Sequence, residues 1–218
     1  GGVIPNTIEG IQVVKNEGRW YAIMVGGDIV NGGIPSRIIK IDFGVNITNV
    51  APVGTNWGNI GNLAYPVDLH LFQENGGWYG FTVNAQNNTI TRFNFSNSFT
   101  NVPTGVNLGN LGGLNYPTGI NAVKDNGNWY VFITNDVVNS FLVRLNFGNS
   151  LLNAPTAVSL GNPGNVLHKT RDIYIMKACD QITGLAVNGD GYNDLVKLNF
   201  NNNITATPTG ASLGNTGS

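Results

Sequence analysis

The chain has 218 residues, of which 41% are hydrophobic and only 11% charged, with a net charge of −1. That apolar share supports a packed core and argues against disorder, whereas the charged share lies well under the roughly 25% of an average soluble domain, with Asn, Gly, Thr and Ser in its place. Lys and Arg are scattered singly, which excludes a nucleic-acid-binding stripe or a membrane-surface patch, and the longest apolar runs fall far short of the roughly 20 residues of a membrane helix.

Gly1 opens no signal peptide, so a secreted product would be a mature or excised piece. Taken in chain order, "NEGRWYAIMV" and "RIIKIDFG" form a first pair of predicted strands, and "ENGGWYGFTVN" with "NTITRFNFS" a second. The third stretch, residues 116 to 167, shows the whole plan of one copy. "TGINAVKD" alternates, "DNGN" turns, and "WYVFITN" is rich in aromatic and β-branched residues. "DVVN" is a loop, "SFLVRLNFG" alternates again, "NSLLNAP" connects, and "TAVSLGN" is a fourth short strand. "NDLVKLNFN" repeats the pattern in the last copy. Period-2 alternation with Asn-Gly punctuation predicts antiparallel hairpins.

The repeat decides the architecture. Lys40, Arg92, Arg144 and Lys197 recur at intervals of 52, 52 and 53 residues, and Phe43, Phe95, Phe147 and Phe200 keep the same spacing. Pro52, Pro103, Pro155 and Pro208 follow to within a residue, as do the "GN" pairs ending at Asn59, Asn110, Asn162 and Asn215. Four short strands per copy predict an all-β fold, a β-propeller of four antiparallel blades in a single domain over residues 1–218. The repeats run about 5–64, 65–115, 116–167 and 168–218. Either the four blades close a small ring or they belong to a larger one. The pairs Trp20-Tyr21, Trp78-Tyr79 and Trp129-Tyr130 send adjacent side chains to opposite sheet faces, where each can feed both neighbouring interfaces. The last copy carries Ile182-Thr183 there and is divergent.

The unit "YPTGINAVKDNGNWYVFITNDVVNSFLVRLNFG" resembles an NHL-type propeller blade. "LNFGNSLLNAPTAVSLGN" with "GNWYVFITN" resembles repeats of large secreted surface proteins of Bacteroidetes, often found beside PKD-like domains. The resemblance covers nearly the whole chain. It implies an extracellular or cell-surface protein with an adhesive, glycan-binding or scaffolding role, and it supplies no catalytic residues.

Propeller ligands sit at the channel mouth or between blades, so the loops after each second strand and before each first strand are the candidate binding rim. Asn84, Asn135 and Asn188 recur in the first set, and Tyr65, Tyr116 and His168 share one position in the second. Asp68 and Asp172 align with Gly10 and Gly119 at the start of the inner strand. Amides, aromatic faces and carboxylates are what neutral sugar recognition needs. The same asparagines also suit plain turns, and the tyrosines suit packing on the following prolines.

The aligned cations either form a polar ring or pack their stems and pair their heads. "NGDGYND", Asn188 to Asp194, has Ca²⁺-loop spacing but lacks the distal Glu, so a tight turn is the expectation. His70 and His168 have no Cys or Glu cluster around them, which predicts no zinc site, and no "GxSxG" elbow exists. Cys179 in "IMKACDQ" is expected to be a small buried hydrophobe. No cofactor is predicted.

The sequence therefore predicts a non-catalytic extracellular or cell-surface module that binds a glycan or surface protein, with homo-oligomers open. Its alternatives are a self-assembling structural unit and, third, a propeller-based lyase or glycosidase, for which Asp68 and Asp172 are the one aligned carboxylate pair.

Overall fold

A computed structural model describes residues 3–4, 7–28, 30, 32–179 and 181–216, and in it the repeat becomes four sheets of four antiparallel strands. Blade 1 holds β1 (Ile8–Asn16), β2 (Arg19–Gly26), β3 (Arg37–Gly44) and β4 (Val53–Gly58). Blade 2 holds β5 (Pro66–Glu74), β6 (Gly77–Asn84), β7 (Thr89–Ser96) and β8 (Thr104–Gly109). Blade 3 holds β9 (Pro117–Asp125), β10 (Asn128–Asn135), β11 (Leu142–Gly148) and β12 (Thr156–Gly161). Blade 4 holds β13 (Thr170–Ala178), β14 (Gln181–Asn188), β15 (Leu195–Asn201) and β16 (Thr209–Ser212). Each strand pairs with the next in sequence, so the fold is the all-β, four-bladed propeller type that the repeat predicts. The chain divides into two compact units, Gly1–Gly109 with blades 1 and 2 and Asn110–Ser218 with blades 3 and 4.

Turn chemistry sets the hairpins. Glu17-Gly18, Asn75-Gly76 and Asn126-Gly127 join first strands to second, with φ of 49° and 78°, 49° and 80°, and 46° and 79°. Positive φ at both residues is the two-residue turn whose twist matches a hairpin. Cys179 stands at the matching position of blade 4 with φ 53°. It is exposed, contrary to the buried site expected of it, because a loop residue between two strands has no sheet face to fill.

A second local device recurs at the end of each third strand. Asp42, Asn94, Asn146 and Asn199 each accept the N–H of the residue two places on, all at 2.8 Å. That receiving residue (Gly44, Ser96, Gly148 or Asn201) has φ between 54° and 72°, and the sheet register shifts beside it. Blade 4 keeps the device although Ile182 stands where the others have Trp, so its divergence does not alter the backbone plan.

Within each unit the blades meet face to face. In the first, Tyr21, Ile23 and Ile38 of blade 1 pack on Leu69, Phe93 and Phe95 of blade 2. Trp78 lies on the side toward blade 1, its Nε1–H donating to Asn16 Oδ1 at 3.0 Å, while Tyr79 on the opposite face stacks with Phe72. In the second unit, Tyr130, Phe132 and Leu142 pack on Ile173, Leu198 and Phe200.

The inner strands approach so closely that a Cβ on Gly10 would lie 2.8 Å from Leu69 N, and one on Gly119 2.7 Å from Asp172 Cα. Two of the third-strand cations are ties between blades. Lys40 Nζ donates to Phe99 O and Arg144 Nη1 to Ile204 O, each at 3.0 Å, with the Lys40 head also 5.5 Å from the Trp57 ring centre. Burial lowers the pKa of both groups.

Asn84, Asn135 and Asn188 hold each blade's start to its own second strand. Asn84 accepts from Ala64 N at 3.1 Å and donates to Thr89 and Thr91 hydroxyls. Asn135 accepts from Asn115 N at 2.8 Å and donates to Phe141 O at 3.0 Å. Asn188 accepts from His168 N at 3.0 Å and from the Thr170 hydroxyl at 2.9 Å, and it donates to Val166 O and Asp194 Oδ1. All three are buried.

Two measurements follow from this packing. Asn135→Ala leaves the part-buried Asn115 N–H and Phe141 carbonyl without this partner and is expected to lower unfolding stability by about 1 kcal/mol, read from urea midpoints. His70 on β5 stacks with Phe72 at 5.9 Å, and burial pushes its imidazole down to about 4. Because the unfolded chain takes up that proton near pH 6.5 and the native chain does not, this group's contribution falls as pH drops from about 6.5 to about 4. The loss reaches about 3 kcal/mol. His70→Gln is expected to flatten that part of the stability–pH curve, measured by thermal melts across the window.

Candidate functional site

The candidate rim consists of the turns that start each inner strand and the loops that follow each second strand. Tyr65 and Tyr116 occupy this turn with φ of 52° and 50°, a left-handed conformation rare outside glycine. In blade 4 the residue with that conformation is Lys169, at φ 47°. The loop hydrogen bonds agree. Ala85 N donates to Tyr65 O, Asp136 N to Tyr116 O and Gly189 N to Lys169 O. The structure thus corrects the predicted alignment by one residue: Lys169, and not His168, is the counterpart of the tyrosines. His168 instead matches Ala64 and Asn115, the residues whose N–H groups the buried asparagines hold.

The predicted rim residues separate into two groups. Asn84, Asn135 and Asn188 are removed from it, since their amides are engaged within the fold and present nothing to a ligand. Tyr65, Tyr116, His168, Asp68 and Asp172 remain partly or fully open.

In the first unit, Tyr65 donates its hydroxyl to Glu9 Oε1 at 3.3 Å. Asp68 sits at a register shift in β5, where its Oδ1 accepts the N–H of Leu69 at 2.7 Å, while the Thr82 hydroxyl donates to its carbonyl at 2.6 Å. Asp172 repeats this geometry in the second unit, at a register shift in β13 with Ile173 N donating to Oδ1 at 2.7 Å. Glycine occupies the matching positions of blades 1 and 3 for a packing reason, the close approach of the neighbouring inner strand described above.

The second unit also carries a charged and aromatic cluster. Arg171 bridges Asp136 at 2.8 Å and Asp190 at 2.6 Å, and Lys169 approaches Asp136 at 3.8 Å. Asp136 is nearly enclosed, whereas Arg171 and Asp190 are open to solvent. The bond to Asp190 raises the pKa of the Arg171 guanidinium and, through Arg171, holds the Asp190 carboxyl below the usual carboxylate range. Beside them the His168 ring stacks on Tyr192, centroids 4.4 Å apart and tilted by 16°, with His168 Nδ1 at 3.2 Å from Val138 O.

Lys169, Arg171, Asp136, Asp190 and Tyr192 are absent from the sequence-based candidates. The readable signal was "HKTRD", residues 168–172, a dense charged run in a chain that is only 11% charged.

The loop Asn188–Asp194 is a tight turn. Asn188 N donates to Asp194 O at 3.0 Å, Asp190 and Asn193 have φ of 50° and 47°, and the Asp194 carboxylate accepts from Asn188 Nδ2 and the Ser212 hydroxyl. Its carboxylates therefore face protein donors, Asp190 facing Arg171. Among the described residues no group of three or more His, Cys, Asp or Glu side chains could hold a metal ion.

No family model and no curated protein matches the sequence. Solved structures do match its fold. The α-L-arabinofuranosidase PaAbf62A from Podospora anserina, solved with cellotriose, is 12% identical with a TM-score of 0.61, over 94% of this chain and 67% of that one. The GH43 β-1,3-galactosidase BT0265 is 13% identical with a TM-score of 0.62, over 95% and 46%. Zg3597, a family 117 glycoside hydrolase from Zobellia galactanivorans, is 8% identical with a TM-score of 0.61, over 94% and 68%. This chain therefore spans two thirds of two of these enzymes and under half of the third. At such identities the likeness establishes the β-propeller and nothing narrower, and the NHL-type resemblance has no family model behind it. The expectation of a non-catalytic module is corrected on these matches, since the three structures named are glycoside hydrolases.

Proposed function

We propose that this chain is the propeller of a carbohydrate-active enzyme of the glycoside hydrolase type, acting on a neutral glycan outside the cell or at its surface. The observation that carries the reading is the match to the arabinofuranosidase fold over 94% of the chain. The surface composition supports the setting. Amides and hydroxyls replace charges, which suits neutral polysaccharides and gives no means of attracting polyanions.

The chemistry asks for carboxyl groups at the glycosidic bond, one protonating the leaving oxygen and another activating water or attacking the sugar. Asp68 in the first unit and Asp172 in the second are each assigned one such role, unit by unit. Each stands on an inner strand, on rigid backbone at a register shift, with one oxygen fixed by the next N–H. A carboxylate held in that way keeps its orientation as substrate arrives. In the second unit, Tyr116 and the stacked His168–Tyr192 pair offer flat apolar faces to a pyranose or furanose ring. Arg171, fixed between Asp136 and Asp190, offers hydrogen-bond donors to ring hydroxyls. Stacking faces beside a few fixed polar groups are how sugar sites combine affinity with orientation.

The test is hydrolysis of 4-nitrophenyl α-L-arabinofuranoside, β-D-xyloside and β-D-galactoside, together with reducing-sugar release from arabinoxylan and galactan. Wild-type chain is expected to turn over at least one of these. Asp68→Asn and Asp172→Asn are each expected to lower kcat by about 10²–10⁴-fold with unchanged melting temperature. Wild-type chain that hydrolyses none of the panel, or Asn variants as active as wild type, would remove the assignment.

A further inference from the structure

In the second unit, Tyr192 is both exposed and held still. The loop that carries it, between β14 and β15, spans residues 189–194, whereas the loop between β6 and β7 in the first unit spans only 85–88 and reads Ala-Gln-Asn-Asn, without a ring. Tyr192 N donates to Gly189 O at 3.2 Å and Asn188 N to Asp194 O at 3.0 Å, which closes the loop on itself. Asp190, Gly191 and Asn193 take φ of 50°, 98° and 47°, and Asn188 Nδ2 and the Ser212 hydroxyl hold the Asp194 carboxylate. His168 covers one face of the Tyr192 ring, and Tyr192 is still 45% exposed. A ring so open gains little from burial, yet its freedom has already been given up. Apolar area presented to solvent in one fixed place is what a binding platform requires.

Polar groups of both kinds stand next to this platform. Asp190, two residues before Tyr192, accepts from Arg171 Nη2 at 2.6 Å, and both side chains are about half exposed. A Cβ on Gly189 would lie 3.0 Å from Arg171 Nε, so the loop rests on the guanidinium and only glycine lets it come so near. From the other side the nearly enclosed Asp136 bridges Arg171 at 2.8 Å. The guanidinium is thus fixed while part of its donor fork faces solvent. Beside it the Asp190 carboxylate keeps an open acceptor. Packing does not demand this arrangement. Counted from the left-handed residues Tyr65 and Lys169, blade 2 has Val67 where blade 4 has Arg171.

The geometry points to a pyranose-binding subsite in the second unit, with Tyr192 as its platform and the Arg171–Asp190 pair reading vicinal hydroxyls, for a neutral chain of β-linked pyranose units. Such a subsite rests on the carbohydrate reading made above and narrows the ring it accepts. A pyranose chair with equatorial substituents has a broad face of axial C–H bonds that covers a phenol ring. Its hydroxyls project in the ring plane, past the platform edge, where one can accept from Arg171 and its neighbour donate to Asp190. A furanose ring is smaller and puckered, and it offers no such face. Asp136 and Asp190 balance Lys169 and Arg171, so no net charge is left over to select a sugar acid.

Isothermal titration calorimetry of the full chain with xylohexaose, cellohexaose and β-1,4-galactohexaose tests this, with α-1,5-arabinohexaose as the furanose comparison. At least one pyranose chain is expected to bind, about tenfold or more tighter than arabinohexaose. Tyr192→Ala is expected to weaken that binding by about tenfold or more, and Tyr192→Phe to stay within about threefold of wild type, because the ring and not its hydroxyl is the platform. Asp190→Ala is expected to weaken it by about threefold to tenfold. Matching melting temperatures confirm that each variant folds. A chain that hydrolyses nothing but loses the hexasaccharide on Tyr192→Ala keeps the subsite, while the hydrolase reading falls. A chain that hydrolyses a glycoside but binds the hexasaccharide equally well as Tyr192→Ala overturns the subsite and leaves the hydrolase reading standing. Wild type that binds none of the pyranose chains, or that prefers arabinohexaose, overturns it as well.

Discussion

A four-stranded sheet with two apolar faces cannot bury either of them by itself, and the rest of this structure depends on that constraint. The faces here carry Ile, Leu, Phe and Tyr on alternating strand positions, so each blade needs a neighbour on both sides. Within each unit the solution is to bring inner strands so near that only glycine fits at Gly10 and Gly119, while the wide third-strand side chains interdigitate further out. Close packing of this kind fixes the spacing of the blades, and the spacing fixes where the loops at the rim can stand.

Burying faces also buries polar backbone, and the fold answers with side chains that recur in register. The asparagines at the ends of the second strands satisfy loop N–H and C=O groups that no ladder reaches, and Lys40 and Arg144 of the third strands satisfy carbonyls of the adjacent blade's connection. A buried donor or acceptor without a partner costs about 1–3 kcal/mol, so four copies of a blade leave little freedom at these positions. The low charge of the chain is consistent with this. Where amides perform the internal work, charged groups are confined to a few places, and the densest of them lies at the start of blade 4.

The backbone plan was legible in the sequence because it is local. Asn75-Gly76 and Asn126-Gly127 announce their hairpins, and the 52-residue register of cation and phenylalanine announces the blade. What sequence reading missed depends on contacts between strands distant in the chain. His168 looks equivalent to Tyr65 and Tyr116 because it lies near the right distance from its neighbours, but the strand start in blade 4 is shifted by one residue, and only the loop hydrogen bonds show that Lys169 takes the turn. Asn84 reads equally well as a ring of ligand groups or as a clamp until its burial is known. Cys179 reads as core until its place between two strands puts it in solvent. Arg171 and Asp136 come from different blades, and no spacing rule links them.

Differences among the four copies carry more functional information than their agreement. Positions shared by all copies, the third-strand Phe and the Asx residue that precedes it, belong to packing and to a backbone bulge. Chemistry requires asymmetry: a carboxylate at one strand start and none at the next, a stacked ring pair on one loop, a guanidinium between two acids in one unit. Glycine at Gly10 and Gly119 is accounted for by steric need, which leaves the carboxylates of Asp68 and Asp172 as the feature of that position that packing does not require. A backbone that only had to present quasi-equivalent pockets would gain nothing from breaking its own repeat at the rim. One that performs a reaction must break it, because acid, base and binding donors are different groups and each has to come from a different place.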